Sequence, residues 1–131
     1  MKLYSIDTSA WIAFFRKRSS PAFFAVEKVL ANEYASVGID GIVMTELLQG
    51  VRSRKETDLI DAAIGSLPYF LHNRDIFFRA GGLNKSLRAK GITIPITDAI
   101  IAATCIEYGA VLLTIDEHFK HFRGLKAKIV C

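Results

Sequence analysis

The chain has 131 residues, of which 51% are hydrophobic and 23% are charged, and its formal net charge at pH 7 is +4. These values exclude an intrinsically disordered chain and predict a single domain over residues 1–131. The two cysteines, Cys105 and Cys131, are too few for a disulfide scaffold, and the longest apolar runs fall short of the roughly 20 residues that cross a membrane. Because Asp7 interrupts the N-terminal apolar stretch, no secretory signal is predicted, and we expect a soluble cytoplasmic protein.

The first half of the sequence alternates between strand patterns and helix patterns. Leu3–Ile6 is rich in strand-forming residues, and the hydroxyl of Thr8 or Ser9 can cap the helix that follows. Ser20 and Pro21 are typical of the start of a second helix. The remaining predicted elements of this half are a strand at Tyr34–Val37 and helices at Val43–Val51 and Glu56–Ile64.

The second half continues this alternation and contains the most apolar segments. Asp75 can cap a long helix through Ala89, in which Gly81-Gly82 predicts a close packing contact or a kink. Thr97-Asp98 is a capping pair for the next helix. The elements that follow are a buried helix at Ala99–Ile106, a strand at Ala110–Leu113, a short helix at Glu117–Phe122 and an edge strand at Lys128–Val130. Alternating strands and helices predict an α/β sandwich with a mainly parallel central sheet.

Four acidic residues stand out against the apolar background. Asp7 follows the first strand and Asp116 lies just beyond the strand at Ala110–Leu113, so both fall at the carboxyl edge of the sheet, where ligands bind. Asp98 and Glu46 join them if their helices begin at that edge. Taken singly, each acid is more often a turn, cap or exposed helix residue. Carboxylates beside apolar segments are, however, costly to bury unless they are paired or bind a cation.

A group of carboxylates without clustered histidine or cysteine suits a hard cation with oxygen ligands, so Mg²⁺ or Mn²⁺ is expected rather than Zn²⁺. Without the cation these carboxylates repel one another, and at least one is expected to bind a proton unusually tightly. His118 and His121 share a helical face, but two histidines without further ligands are more often surface residues than a zinc site.

The acids lie in four ordered segments that carry a resemblance to a known family. These segments are Asp7-Thr8-Ser9, Glu46-Leu47-Leu48-Gln49-Gly50, Asp98-Ala99-Ile100-Ile101-Ala102-Ala103 and Leu113-Thr114-Ile115-Asp116-Glu117-His118-Phe119. In this order and spacing they resemble the PIN-domain ribonucleases, and most of all the VapC-type toxins of toxin–antitoxin pairs. The resemblance extends from Tyr4 to Phe122. It implies a PIN-like three-layer α/β/α sandwich.

The activity that this resemblance implies is magnesium-dependent endonucleolytic cleavage of RNA by metal-activated water, leaving a 5′-phosphate and a 3′-hydroxyl. Asp7 and Asp98 would be direct metal ligands, with Mn²⁺ as a substitute for Mg²⁺. Glu46 and Asp116 would complete the catalytic pocket, nearby or through water. The supporting residues implied by the resemblance are Ser9 and Thr114, as hydrogen-bonding groups in the pocket.

The pairs Phe14-Phe15 and Phe23-Phe24 flank a basic turn and raise the question of a partner surface. Neighbouring residues on a helix point about 100° apart, so both members of a pair cannot face the core. Core packing between the two helices and an exposed partner site remain equal alternatives on this pattern. The resemblance favours a groove for a VapB-type antitoxin here, with a homodimer formed through other helices.

An acidic pocket in an otherwise basic chain suits a metal enzyme that acts on a polyanion. Candidate contacts to the RNA backbone, which solvated helix ends and loops explain equally well, are Arg16, Lys17, Arg18, Arg52, Arg54, Lys55, Arg88 and Lys90. Two other functions stay open: a non-catalytic RNA-binding PIN-fold protein and a housekeeping nuclease that processes RNA. The presence of all four acids argues against the first, and the small size argues mildly against the second.

Overall fold

The computed structural model of the chain describes residues 1–130, which form five β-strands, six α-helices and one 3₁₀-helix. In chain order the elements are β1 (Lys2–Ile6), α1 (Thr8–Arg16), α2 (Pro21–Ala31), β2 (Ala35–Asp40), α3 (Gly41–Gln49), α4 (Arg54–Ile64), β3 (Tyr69–Phe70), α5 (Arg74–Ala89), α6 (Ile96–Tyr108), β4 (Val111–Thr114), the 3₁₀-helix (Glu117–His121) and β5 (Lys126–Ile129). Every predicted element is present, with ends that shift by a few residues, and the predicted α/β class is confirmed.

All five strands run parallel in one sheet, in the order β3-β2-β1-β4-β5, so β5 is an edge strand as predicted. Successive residues of a strand face opposite sides of the sheet. Ser5 and Ile6 of β1 are both buried, as are Leu112 and Leu113 of β4, so helices cover both faces of the central strands. The architecture is therefore the expected three-layer α/β/α sandwich.

The caps of two helices differ from the sequence predictions. Asp7, rather than Thr8 or Ser9, caps α1, because its carboxylate accepts a hydrogen bond from a backbone N–H of the first turn. Asn73, rather than Asp75, caps α5 in the same way, and Asp75 lies in the first turn. Each predicted cap was wrong by one or two residues because several neighbouring side chains are competent acceptors and only the backbone geometry selects one.

The predicted cap of α6 was wrong, and so was one of the two alternatives, a close packing contact or a kink, that the glycine pair of α5 indicated. α6 begins at Ile96 after extended Pro95, so Thr97-Asp98 lies inside the first turn and makes no capping hydrogen bond. The Asp98 carboxylate therefore caps no backbone N–H group of α6. On α5, Gly81-Gly82 is exposed, and a Cβ added at either glycine would meet nothing within 4 Å, so no close packing contact explains this pair.

The short strand β3 was absent from the sequence prediction. Its two residues, Tyr69–Phe70, pair in parallel with the end of β2, and a segment this short carries no periodicity. β2 itself extends to Asp40, three residues beyond the predicted strand. Within residues 1–130, no helix combines the length and apolar character needed to cross a membrane.

Candidate active site

The carboxyl ends of β1 and β4 bring Asp7 next to Thr114. The two strands are parallel neighbours with Ile6 opposite Leu113, and the Asp7 amide donates to the Leu113 carbonyl at 3.1 Å. Thr114 Oγ1 in turn donates to Asp7 Oδ2 at 2.7 Å. Both side chains are almost wholly buried. Residues that are 107 positions apart in the chain thus form one hydrogen-bonded unit at the carboxyl edge of the sheet.

The Asp7 carboxylate is held on both of its oxygens. Besides the bond from Thr114, Oδ1 accepts from Ser9 Oγ at 2.7 Å and from the Ala10 amide at 3.1 Å. Burial raises the pKa of Asp7 above its usual value of 3.8, although these three hydrogen bonds act in the opposite direction, and the negative charge of Asp116 raises it further. The two hydroxyls named from the sequence, Ser9 and Thr114, thus both contact the first acid.

Glu46 reaches the same edge from α3, which begins directly after β2. Thr8 Oγ1 donates to Glu46 Oε1 at 2.8 Å, so the residue after the first acid orients the second. From the sequence, Thr8 is predicted only as a helix cap, and its contact with Glu46, which spans 38 positions, is not indicated. The one available signal was its place in the Asp7-Thr8-Ser9 segment.

Asp98 is the acid whose proton affinity changes most clearly. It lies half-buried in the first turn of α6, and its pKa is raised from 3.8 to about 6. Burial is the largest cause, and the negative charges of Asp116, Glu46 and Asp7 follow in that order. Asp98 therefore lies within electrostatic reach of the other three acids, and its raised pKa agrees with the expectation that at least one carboxyl binds its proton unusually tightly.

Asp116 follows β4 and caps the 3₁₀-helix. Its amide donates to Thr114 Oγ1 at 2.9 Å, which links it to the Asp7 unit. Its Oδ1 accepts from the His118 amide at 2.9 Å and lies 2.8 Å from His118 Nδ1. His118 is exposed, as the sequence indicated, but it contacts a candidate site acid, which its spacing from His121 could not reveal.

The donor chemistry of this edge fits a hard divalent cation. Its donors are four carboxylates with two hydroxyls, and across residues 1–130 no lysine or arginine forms an ion pair with any of the four acids. Within the same residues, no three Asp, Glu, His or Cys side chains lie close enough to form a ready metal-binding group. The acids thus share one edge of the sheet without forming a ready group of three ligands.

The four phenylalanines divide into a packed set and an exposed member. Phe14, Phe15 and Phe23 are half-buried, with Phe14 stacked on Phe23 at a ring-centroid distance of 5.2 Å. Phe15 stacks on buried Trp11 at 5.7 Å. Phe24 differs because 56% of it is exposed. Packing between α1 and α2 accounts for three of the rings and leaves Phe24 facing solvent.

Comparison with known protein families identifies the family of this chain, because the family model for the PIN domain matches residues 4–125. The chain belongs to the PIN-domain family. Ribonuclease VapC11 of Mycobacterium tuberculosis is 32% identical to this PIN domain over 116 residues, which are 87% of each chain. Ribonuclease VapC19 of the same organism is 34% identical over 127 residues, 96% of this chain and 98% of the relative.

Solved structures show the same fold. VapBC2 from Rickettsia felis, bound to a DNA fragment from its promoter, contains a chain that matches with a TM-score of 0.79 and 23% identity, over 98% of this chain and 99% of that one. VapBC-1 from nontypeable Haemophilus influenzae matches with a TM-score of 0.81 and 20% identity, over 97% of both chains. At these identities the likeness concerns the fold alone.

The predictions of a PIN-domain fold and of a VapC-type ribonuclease are therefore confirmed. This family implies a dependence on divalent metal ions in general.

Proposed function

We propose that this PIN domain, as one unit over residues 1–131, is a magnesium-dependent endoribonuclease and the toxin of a toxin–antitoxin pair in the cytoplasm. Asp7 and Asp98 hold the ion directly, with Mn²⁺ as a substitute, and Glu46 and Asp116 complete the pocket nearby or through water. The observation that carries this proposal is the placement of four carboxylates at one edge of a parallel sheet, where Ser9 and Thr114 donate to Asp7 and the other three acids lie close enough to raise the pKa of Asp98.

Asp7 and Asp98 have different roles at the proposed metal site. Asp7 is held on both oxygens by Thr114 and Ser9, so it offers a fixed anionic anchor. Asp98 has a raised pKa and no capping bond, so its charge is the one that a cation would stabilise most. A bound divalent ion supplies Lewis-acid polarisation of the phosphodiester and lowers the pKa of water.

Thr8 and Thr114 act as positioning residues. Thr8 orients Glu46, and Thr114 joins Asp7 to the Asp116 backbone, so two hydroxyls fix three acids relative to one another. Fixing carboxylates in advance limits the reorganisation needed when a polyanionic substrate arrives. The chain therefore supplies the carboxylates that bind the cation, and the charge of the cation offsets their repulsion of the RNA phosphates.

The Asp98→Asn variant tests the metal role, because it removes a charge and keeps the shape. We expect loss of RNA cleavage in Mg²⁺ with the fold intact by circular dichroism. Asp75→Asn is the matched control, since Asp75 occupies the first turn of neighbouring α5 and is exposed, and it should cleave as the wild type does.

Two results would contradict the proposal. One is full cleavage by Asp98→Asn, and the other is undiminished cleavage by the wild type in excess chelator. Restoration of chelated enzyme by Mg²⁺ and by Mn²⁺ is expected. RNA binding without cleavage by the wild type under any metal condition would favour the non-catalytic RNA-binding function instead.

The protein partner that we propose is a VapB-type antitoxin, and the chain itself is proposed to form a homodimer through other helices. Phe14, Phe15, Phe23 and Phe24 mark the antitoxin surface. Phe15 also lines a largely apolar depression between α1, α3 and α4 that includes Glu46. A segment bound along this surface would therefore end beside the acids, where it could block access of RNA.

The partner surface is tested by co-purifying the chain with the product of any small reading frame found directly upstream of its gene. Phe24→Ser should weaken that complex, because it removes the exposed ring of the set. Phe78→Ser is the control, since Phe78 is also exposed, at 73%, but lies on α5. Equal affinity of the Phe24→Ser variant and the wild type for this partner would show that the interface lies elsewhere.

A further inference from the structure

A groove runs between one face of α5 and the segment that follows the 3₁₀-helix. Gly82, Ser86 and Lys90 lie along the α5 wall, and His121 and Arg123 lie on the opposite wall. The volume is about 640 Å³, within the range of roughly 300–1,000 Å³ typical of ligand sites. We call this feature the α5 groove; it lies outside the four-acid site described above.

The charge of the α5 groove is positive. Its charged lining residues are Arg79, Lys90 and Arg123, with His121 beside them, and none of its lining residues is acidic. Arg79 is neutralised by Glu107 at 2.6 Å, whereas Lys90 and Arg123 have no ion-pair partner among residues 1–130. Two exposed, uncompensated cations thus line the groove from opposite walls.

Gly82 leaves a gap in the row of side chains along the α5 wall of the groove. Glycine in a helix interior weakens the helix, and here packing does not require it, because a Cβ at Gly82 would meet no atom within 4 Å. A longer side chain at this position would instead project into the space between the two walls. The unexplained glycine and the uncompensated charges therefore point to the same open channel.

The α5 groove lies next to the acidic site. A shallow depression lined by Asp116, Glu117, His118 and Lys120 shares His121 with the groove, so the two features adjoin at the end of the 3₁₀-helix. On the other wall, the chain passes from Lys90 through Ile94 into α6, which carries Asp98, and Asn84 Nδ2 holds this segment by donating to the Ile94 carbonyl at 2.9 Å.

We infer that the α5 groove binds the sugar-phosphate backbone of the RNA substrate on its way to the four acids, an inference that rests on the proposed function. Lys90 and Arg123 have no ion-pair partner among residues 1–130, and such uncompensated cations in a groove suit phosphates. The groove would therefore contribute affinity through the phosphates, and Lys90 and Arg123 are its principal contacts.

The test is salt-dependent binding of a labelled single-stranded oligouridylate in chelator, so that no cleavage occurs. In the double variant Lys90→Gln/Arg123→Gln, the slope of log affinity against log salt should become about 1.4 less negative, since each lost phosphate contact on a single strand accounts for about 0.7. The same slope makes binding roughly 25-fold weaker at 0.1 M salt and nearly equal at 1 M.

The matched control removes two charges elsewhere. Lys2 and Lys28 are exposed and lie on β1 and α2, and Lys2→Gln/Lys28→Gln should bind as the wild type does. Gly82→Glu should weaken binding by placing an anion in the channel, whereas Gly82→Ala should not. In cleavage assays with Mg²⁺, the Lys90→Gln/Arg123→Gln variant should show a raised KM and an unchanged kcat.

Unchanged RNA affinity of Lys90→Gln/Arg123→Gln overturns the inference, as does a loss of antitoxin binding with RNA affinity intact, which would make the groove a protein interface. A wild type that binds no RNA also overturns it. A wild type that binds RNA through these residues but never cleaves it contradicts the proposed nuclease function and leaves the groove supported.

Discussion

The two neighbouring strands β1 and β2 both lead into a buried aspartate that caps the next helix. Asp7 is 4% exposed and accepts from the Ala10 amide at 3.1 Å, and Asp40 is 1% exposed and accepts from the Ile42 amide at 2.8 Å. Viewed along the chain alone, the two positions are equivalent. Their tertiary surroundings, however, give the two carboxylates opposite roles.

Asp7 is surrounded by hydroxyls and further acids, whereas Asp40 has a basic neighbour. His72 Nε2 lies 3.2 Å from Asp40 Oδ1, and the His72 side chain is largely buried. Asp7 has no such partner, and its pKa is raised by burial and by Asp116. A buried carboxylate beside a histidine side chain is a structural element, and one among other carboxylates is a candidate ligand.

The largest effect should come from neutralising each aspartate in turn. Asp7→Asn should lower the RNA cleavage rate at least about 100-fold, because even outer partners of a metal site contribute roughly 10–100-fold. Asp40→Asn should leave the rate within a few-fold of wild type. Single-turnover cleavage in Mg²⁺ measures both, and comparable losses would show that Asp40 belongs to the active site.

A smaller effect is expected on folding. Asp40→Ala should lower the free energy of unfolding by about 2 kcal/mol, since it removes a cap worth about 1 kcal/mol and a buried polar contact worth about 1 kcal/mol. Asp7→Ala loses the same kind of cap and the hydrogen bonds from Ser9 and Thr114, but it also relieves a buried charge that has no basic neighbour, so it should cost less. Urea unfolding without metal at pH 7 measures the free energy of unfolding of both variants. A larger loss for Asp7→Ala would contradict the assignment of Asp40, rather than Asp7, as the structural aspartate.

The smallest effect concerns the pH dependence of stability in the metal-free protein. Between pH 3.8 and about 6, folded Asp98 retains a proton that the unfolded chain releases, so stability should fall as pH rises through this window. Solvent screening of the half-buried group limits the change to about 1 kcal/mol or less. Asp98→Asn should lose this component and Asp40→Asn should keep it; identical pH profiles for wild type and Asp98→Asn would contradict the origin of the shift.

The order of helices and strands was predictable because hydrophobic periodicity records which residues face the core. The apolar run before Thr114 predicted β4, and its buried residues show why the run is continuous. Helix caps were less predictable, since Asp75 and Asn73 are both good acceptors and the backbone uses only Asn73. The two-residue strand β3 had no periodic signal at all.

The candidate site was predictable in its acids and not in the contacts that orient them. Asp7 and Asp116 follow strands that the sequence reveals, and the parallel sheet places such ends on one edge. The bond from Thr8 to Glu46 and the contact of His118 with Asp116 involve side-chain directions that spacing does not encode. Asp40 was missed because the predicted strand ended at Val37.

The sequence by itself determined the alternating elements and the identity of the acids, because burial periodicity and residue chemistry are local properties of the chain. Tertiary structure alone decided which of two similar buried aspartates lies among acids and which beside His72. It also decided that the exposed Gly82 opens a channel between Lys90 and Arg123 rather than a packing contact. Electrostatic environment and free volume arise between segments distant in sequence, so they exist only once the chain has folded.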